Sequence, residues 1–145
     1  MEWGHGSLIL KNPRRPDLQP VDVEALADAD AWHLHIPEPI RIHLALEATD
    51  SMDVTLAEGT KTWVPYVGPL EVRFRNRVGW TGALVMGDQV VLGAVPLADM
   101  DLVIIPTTRT VDGNPDRPNI GISWATCTGS VARMAGDLIQ RARPS

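Results

Sequence analysis

The sequence predicts a small all-β domain, and three observations carry that prediction. Apolar and polar residues alternate in short runs, as Leu70, Val72 and Phe74 do against Glu71, Arg73 and Arg75, which is the two-residue period of a half-buried strand. The runs are closed by Gly, Pro, Asp or Asn, whose backbone preferences suit turns rather than a crossover helix. With 145 residues the chain is one domain's worth, long enough to bury a core and too short for two full lobes.

Taken in order, Leu8 to Leu10 is a short strand, and Asn12-Pro13-Arg14-Arg15-Pro16-Asp17 with Pro20 is a stiff polar loop, because proline fixes φ and removes ladder donors. Val21 to Ala27 is a strand that runs into a loop at Asp28. Leu34 and Ile36 alternate with His33 and His35, giving one core face and one polar face. Glu38 to Leu46 carries Ile40, His43, Leu44 and Ala45 near helical spacing after Pro39, which predicts a short helix. Val54 to Ala57 and Lys61 to Tyr66 flank Glu58-Gly59-Thr60 as a hairpin whose Gly59 takes positive φ.

Gly68-Pro69 is expected to punctuate the chain before the strand Leu70 to Phe74, and Asn76-Arg77 to form the next turn. Trp80 to Met86 and Val90 to Leu92 are strands split by Gly87-Asp88-Gln89; Gly93 to Met100 holds a helical turn, and Asp101 to Ile105 is a further strand. Beyond residue 123 the pattern changes. Val131, Met134, Ala135, Leu138 and Ile139 share one face of a helix that Ser130 can cap, so residues 123–145 are expected to be an amphipathic helical extension of a domain spanning 8–122.

Charge and composition exclude several function classes. A net charge of -5 argues against a nucleic-acid partner, since phosphate binding needs a Lys/Arg surplus on one face. No apolar run is long enough to span a bilayer, and Met1-Glu2-Trp3-Gly4-His5-Gly6 lacks the layout of a signal peptide, so the expectation is a cytoplasmic protein with no membrane partner. Cys127 is the only cysteine, which rules out an internal disulfide and a thiolate metal cluster. No Ser lies on a Gly-x-Ser-x-Gly turn, so Ser/His/Asp catalysis is not indicated.

The motif that carries chemistry is Ala25-Leu26-Ala27-Asp28-Ala29-Asp30-Ala31, an apolar strand delivering an aspartate into a loop of small residues. With Asn12 to Asp17, Ile36-Pro37-Glu38, Val64-Pro65-Tyr66-Val67-Gly68-Pro69, Val91-Leu92-Gly93-Ala94 and Met100-Asp101-Leu102-Val103, it resembles the small bacterial retropepsin-like aspartic peptidases in order and spacing. The resemblance implies a retropepsin-like acid-protease β-barrel closed as a homodimer. It implies Asp28 as the catalytic residue, Ala29, Asp30 and Ala31 as the active-site loop, and Glu58-Gly59-Thr60 as a substrate-binding flap. Leu92 and Gly93 would pack behind the loop. A peptide or protein is the implied substrate, and no cofactor or metal is called for.

In that chemistry two carboxyl groups, one Asp28 from each chain, share a proton, and aspartic proteases are the standard example of such a pair. One activates water and the other stabilises the developing oxyanion. The family's Asp-Thr-Gly reads Asp28-Ala29-Asp30 here. Ala29 lacks the hydroxyl that would tie one loop to the other across the dimer. The side chain of Asp30 is expected to obstruct the backbone N–H that a glycine would present to the catalytic carboxylate.

Two alternatives follow. An inactive pseudo-peptidase would keep the groove and bind extended peptides by strand addition. A metal-binding β-domain would use Asp28, Asp30, His33, His35 and His43, but on one continuous strand the aspartates and the histidines fall on opposite sides. Asp50-Ser51-Met52, the other place for a catalytic loop, lacks the following Gly and an apolar strand. Trp32 follows the Asp28 loop and either lines the groove or fills core or interface.

Overall fold

A computed structural model describes residues 2–118. The C-terminal helix expected over 123–145, and Cys127, lie outside the described residues. The elements in chain order are β1 (Trp3–Lys11), β2 (Val21–Asp28), β3 (Leu34–Ile36), α1 (Glu38–His43), β4 (Ala48–Thr55), β5 (Lys61–Phe74), β6 (Arg77–Val85), β7 (Val90–Leu92), α2 (Ala94–Asp99), β8 (Leu102–Ile105) and β9 (Thr110–Gly113).

All nine strands belong to one sheet, ordered β4-β5-β6-β3-β7-β2-β1-β9-β8. An additional β1–β5 pairing, Ile9 to Arg73 through Lys11 to Glu71, joins the sheet to itself. The result is a closed barrel of six strands, β5-β6-β3-β7-β2-β1. Strand β4 extends it on one side, and β9 with β8 on the other. Closure removes most of the unpaired edge that an open sheet exposes.

Inward positions follow the two-residue period. Leu8 and Leu10, Ala25 and Ala27, Leu34 and Ile36, Val90 and Leu92 fill the barrel together with Val72, Phe74, Ala83 and Val85. Leu44, Leu46, Leu97 and Met100 close it from the two helices and their exits. Each of these leucines contributes about 2 kcal/mol by leaving water.

Several elements differ from expectation: β4 begins at Ala48 rather than Val54, α1 ends at His43 rather than Leu46, and β6 begins at Arg77 rather than Trp80. Strand β1 begins at Trp3 rather than Leu8, because Trp3 to Leu10 pair continuously with Asp28 back to Val21. Gly68-Pro69 does not break the chain: β5 runs through it as one strand, with a register shift against β6 between Val67 and Leu70. A bulge of this kind lets a sheet absorb the missing N–H of proline. Strand β9, built from Thr110 to Gly113, has no apolar alternation to announce it and is held by antiparallel pairing with β8.

Arg77, expected in a turn, is instead the first residue of β6 and 3% exposed. Its guanidinium donates to the carbonyls of Met100 and Asn114 at 3.2 and 3.3 Å, and to those of Asp101 and Arg117. One side chain thereby satisfies carbonyls in two separate connections, which the five-donor fork of arginine allows and lysine does not. Asn12 does the same on a smaller scale, donating from Nδ2 to the Leu44 carbonyl at 2.8 Å and accepting from the Arg14 N–H at 2.9 Å. No helix among the described residues is long and apolar enough to cross a membrane.

Candidate functional site

Strand β7 lies between β2 and β3, parallel to the first and antiparallel to the second. Consecutive strands β2 and β3 are thus separated in space by a strand that arrives later, and the 29–33 loop must pass over the end of β7. Asp28 is the last residue of β2, where this crossing begins.

The loop is braced from both sides. The Asp30 N–H donates to Asp28 Oδ1 at 2.9 Å, and the Ala31 N–H to the Asp28 carbonyl at 3.1 Å. The Ala29 N–H reaches back to the Glu2 carbonyl at 3.2 Å, while Ala94 and Val95 donate to the carbonyls of Ala31 and Trp32 at 2.7 and 3.0 Å. Asp30 itself is exposed and is not among the residues with positive φ. The expected obstruction is therefore corrected: an aspartate at this position still presents its N–H to Asp28, because its side chain leaves toward solvent and its backbone needs no glycine geometry. Ala29 is also exposed, and Ala31 half-buried.

Gly93 sits directly beneath the crossing. A Cβ placed there would stand 2.6 Å from the Trp32 carbonyl carbon and 2.8 Å from the His33 nitrogen, and closer still to the His33 carbonyl oxygen. Only glycine fits at that distance. Leu92, 1% exposed, pairs with Ala27 on one side and Leu34 on the other. Gly93 thus packs against the backbone of residues 32–33, and Leu92 between β2 and β3.

The barrel register also brings together residues that the sequence separates. One step past the Ala27, Leu92, Leu34 and Ala83 pairings, Asp28, Gly93, His33 and Gly82 fall in one row across β2, β7, β3 and β6. The neighbouring row on the same outer face is Leu26, Val91, His35, Leu84 and Tyr66. One continuous strand would put Asp28 and the histidines on opposite sides; the loop between β2 and β3 resets the alternation and brings Asp28, His33 and His35 to one face.

Nor is this face simply polar. Leu84 and Val64 are buried yet outside the core cluster. Tyr66 lies against the β6 backbone, where a Gly82 Cβ would overlap its ring, and meets His33 edge-on at 6.1 Å between centroids. Burial is the main cause that pushes the His35 imidazole below its usual value; nearby His33 pushes the same way, and Asp28 opposes them.

The hairpin closes as expected. Leu56 and Thr60 share a backbone bond of 2.8 Å, the Gly59 N–H donates to the Leu56 carbonyl, and Gly59 has φ 91°. Glu58, Gly59 and Thr60 are exposed at its tip. Asp50, Ser51 and Met52 lie within β4 and form no loop. Trp32 is 71% exposed and fills no core among the described residues.

Among the described residues no three His, Cys, Asp or Glu side chains converge as metal ligands. His43 lies apart from the row, its Nε2 3.1 Å from the Gln19 carbonyl. Tyr66 and Trp3 were not marked by the sequence as residues of this face. Gly82 was the available signal, since an isolated glycine in a strand marks the close approach of another group. In comparison with known proteins, no family model and no curated sequence matches this chain.

Proposed function

We propose that this chain is one half of an aspartic peptidase, in which two copies bring their Asp28 carboxyls together to hydrolyse a peptide bond. The observation that carries the proposal is the braced carboxylate: Asp28 ends a barrel strand with the Asp30 N–H on Oδ1 and Gly93 packed behind the loop. A carboxylate held by a backbone donor on a rigid strand end is pre-oriented for proton transfer.

In the dimer one Asp28 is ionised and the other protonated. The ionised carboxylate takes a proton from water as the water oxygen bonds to the amide carbon, and the protonated one gives its proton to the carbonyl oxygen. Collapse of that tetrahedral gem-diol breaks the C–N bond; the nitrogen leaves with the proton first taken from water, and one of its hydroxyls returns a proton to the carboxylate that had protonated the carbonyl, which restores the pair. The Glu58-Gly59-Thr60 hairpin would cover an extended peptide lying against the face that carries Asp28, His33 and Tyr66.

One observation favours a second reading, a pseudo-peptidase that binds extended peptides without cutting them. Ala29 offers no hydroxyl with which to lock the two loops together. A peptide-library digest with the full chain beside Asp28→Asn separates the two: cleavage that disappears in Asp28→Asn supports the peptidase, and binding without cleavage supports the alternative. Sedimentation at tens of micromolar is expected to return a dimer. A strict monomer removes every mechanism that needs two Asp28 side chains.

A further inference from the structure

Trp3 is the register partner of Asp28 on the neighbouring strand, so the two side chains share the outer face of the barrel. Over the Trp3 ring lies Arg109, its guanidinium carbon 4.5 Å from the ring centroid. The His5 ring meets the same indole edge-on at 5.5 Å.

Arg109 is placed there by the backbone. It has φ 54°, a left-handed conformation that a long side chain seldom adopts, and its carbonyl accepts the His5 N–H at 2.8 Å. Gly4 lets the 109–110 segment approach: a Cβ at Gly4 would come within 3.1 Å of the Arg109 carbonyl carbon and 3.2 Å of the Thr110 nitrogen. The strained turn therefore directs Arg109 back over the residue paired with Asp28.

Among the described residues Arg15, Arg41, Arg73, Arg75, Arg77 and Arg117 each have an acidic partner, whereas Arg14 and Arg109 are in none of these pairs and Arg109 lies on the indole face. Stacking leaves the in-plane N–H fork of a guanidinium unused, and that fork matches a carboxylate in two parallel bonds. In a chain of net charge -5 an arginine without an acidic partner, stacked on the residue that pairs with Asp28, is a selective feature.

We propose that Arg109, stacked on Trp3 next to Asp28, is a carboxylate-binding site that gives the groove a preference for acidic peptides. The inference rests on the groove assigned above and names its substrate class. Either an Asp or Glu side chain or a peptide's C-terminal carboxylate supplies the group.

The test is a binding measurement, so that it does not depend on catalysis. Full-length Asp28→Asn protein is titrated with fluorescein-labelled apolar peptides by fluorescence anisotropy. One set carries a single Asp walked along an amidated peptide, a second carries Asn at the same places, and a third has no Asp but a free C-terminus. An Asp peptide at one position is expected to bind about tenfold tighter than its Asn counterpart at low salt, with the difference shrinking as salt rises. If the free C-terminus alone gives that gain, the site is a terminus reader and the proposal stands with that source.

Arg109→Gln is expected to bring the Asp peptide down to the affinity of the Asn peptide, and Arg109→Glu to favour a Lys peptide instead. Melting curves establish that both variants are folded, and Arg109→Lys, which keeps the charge without the fork, should retain part of the preference. Equal affinities for Asp and Asn peptides in the parent protein overturn this inference alone. So does a preference that survives Arg109→Gln, or an Arg109→Gln effect confined to the dimer constant. Binding of no peptide at all overturns both this inference and the groove on which it rests.

Discussion

Gly93 supports the backbone of Trp32 at a separation that leaves no room for a side chain, with only 2.6 Å between a would-be Cβ and the Trp32 carbonyl carbon. The neighbour is backbone, which cannot rotate aside as a flexible side chain can. Gly93→Ala is therefore expected to displace the 31–33 crossing and to destabilise the domain by about 2 to 4 kcal/mol. Urea unfolding measures the loss, and an unchanged midpoint would show that the loop yields freely.

Arg77 is expected to be the costliest polar side chain to remove. Arg77→Met keeps much of the volume but leaves the carbonyls of Met100, Asp101, Asn114 and Arg117 without their donor, at about 3 to 5 kcal/mol. Arg77→Lys should recover only part of this, because one ammonium cannot reach two connections at once. The same unfolding experiment ranks the three proteins.

Acid should destabilise the fold in two separate windows. His35 is held below its ordinary value mainly by burial, so between that lowered value and about 6.5 the unfolded chain binds more protons than the folded one. The corresponding stability is fully present above about pH 6.5 and is lost as pH falls through the folded value. Asp101 is also lowered, first by its hydrogen bond from Arg117, and its contribution is present above about pH 3.9 and lost only below that. His35→Gln should flatten the upper window and leave the lower one.

His35 also reports on Asp28. The Asp28 carboxylate is the one neighbour that raises the imidazole, against burial and His33. Asp28→Asn should therefore lower the His35 titration further, as read by NMR of the ring protons. No movement would mean that the two residues do not share a face in solution.

The chain as it stands is expected to cleave peptides weakly, and the two loop substitutions are expected to contribute unequally. Ala29→Thr supplies the missing hydroxyl on each of two chains and should raise kcat/KM by about tenfold. Asp30→Gly should add less than about threefold, since the N–H of residue 30 already reaches Asp28 Oδ1. A gain carried mainly by Asp30→Gly would reverse this assignment.

Alternation and turn chemistry were enough to place most elements. Leu34 and Ile36, the Glu58-Gly59-Thr60 hairpin and the helical turn after Gly93 stand where local residue types put them, and the helix expected over Glu38 to Leu46 starts there but ends at His43, because short-range periods and φ preferences decide such features. Asp28 was legible as the end of a strand for the same reason. What the local pattern does not contain is register between strands distant in the chain. Only the strand pairings of the folded sheet put Asp28, Gly93, His33 and Gly82 in one row and set Trp3 beside Asp28, and only the loops packed around it turn Arg77 from a turn residue into a buried clamp. Strand β9 formed without an apolar signal because pairing with β8 supplied the hydrogen bonds that its own residues do not demand. A residue's own chemistry fixes its local conformation, whereas its neighbours across a sheet are chosen by the packing of the whole.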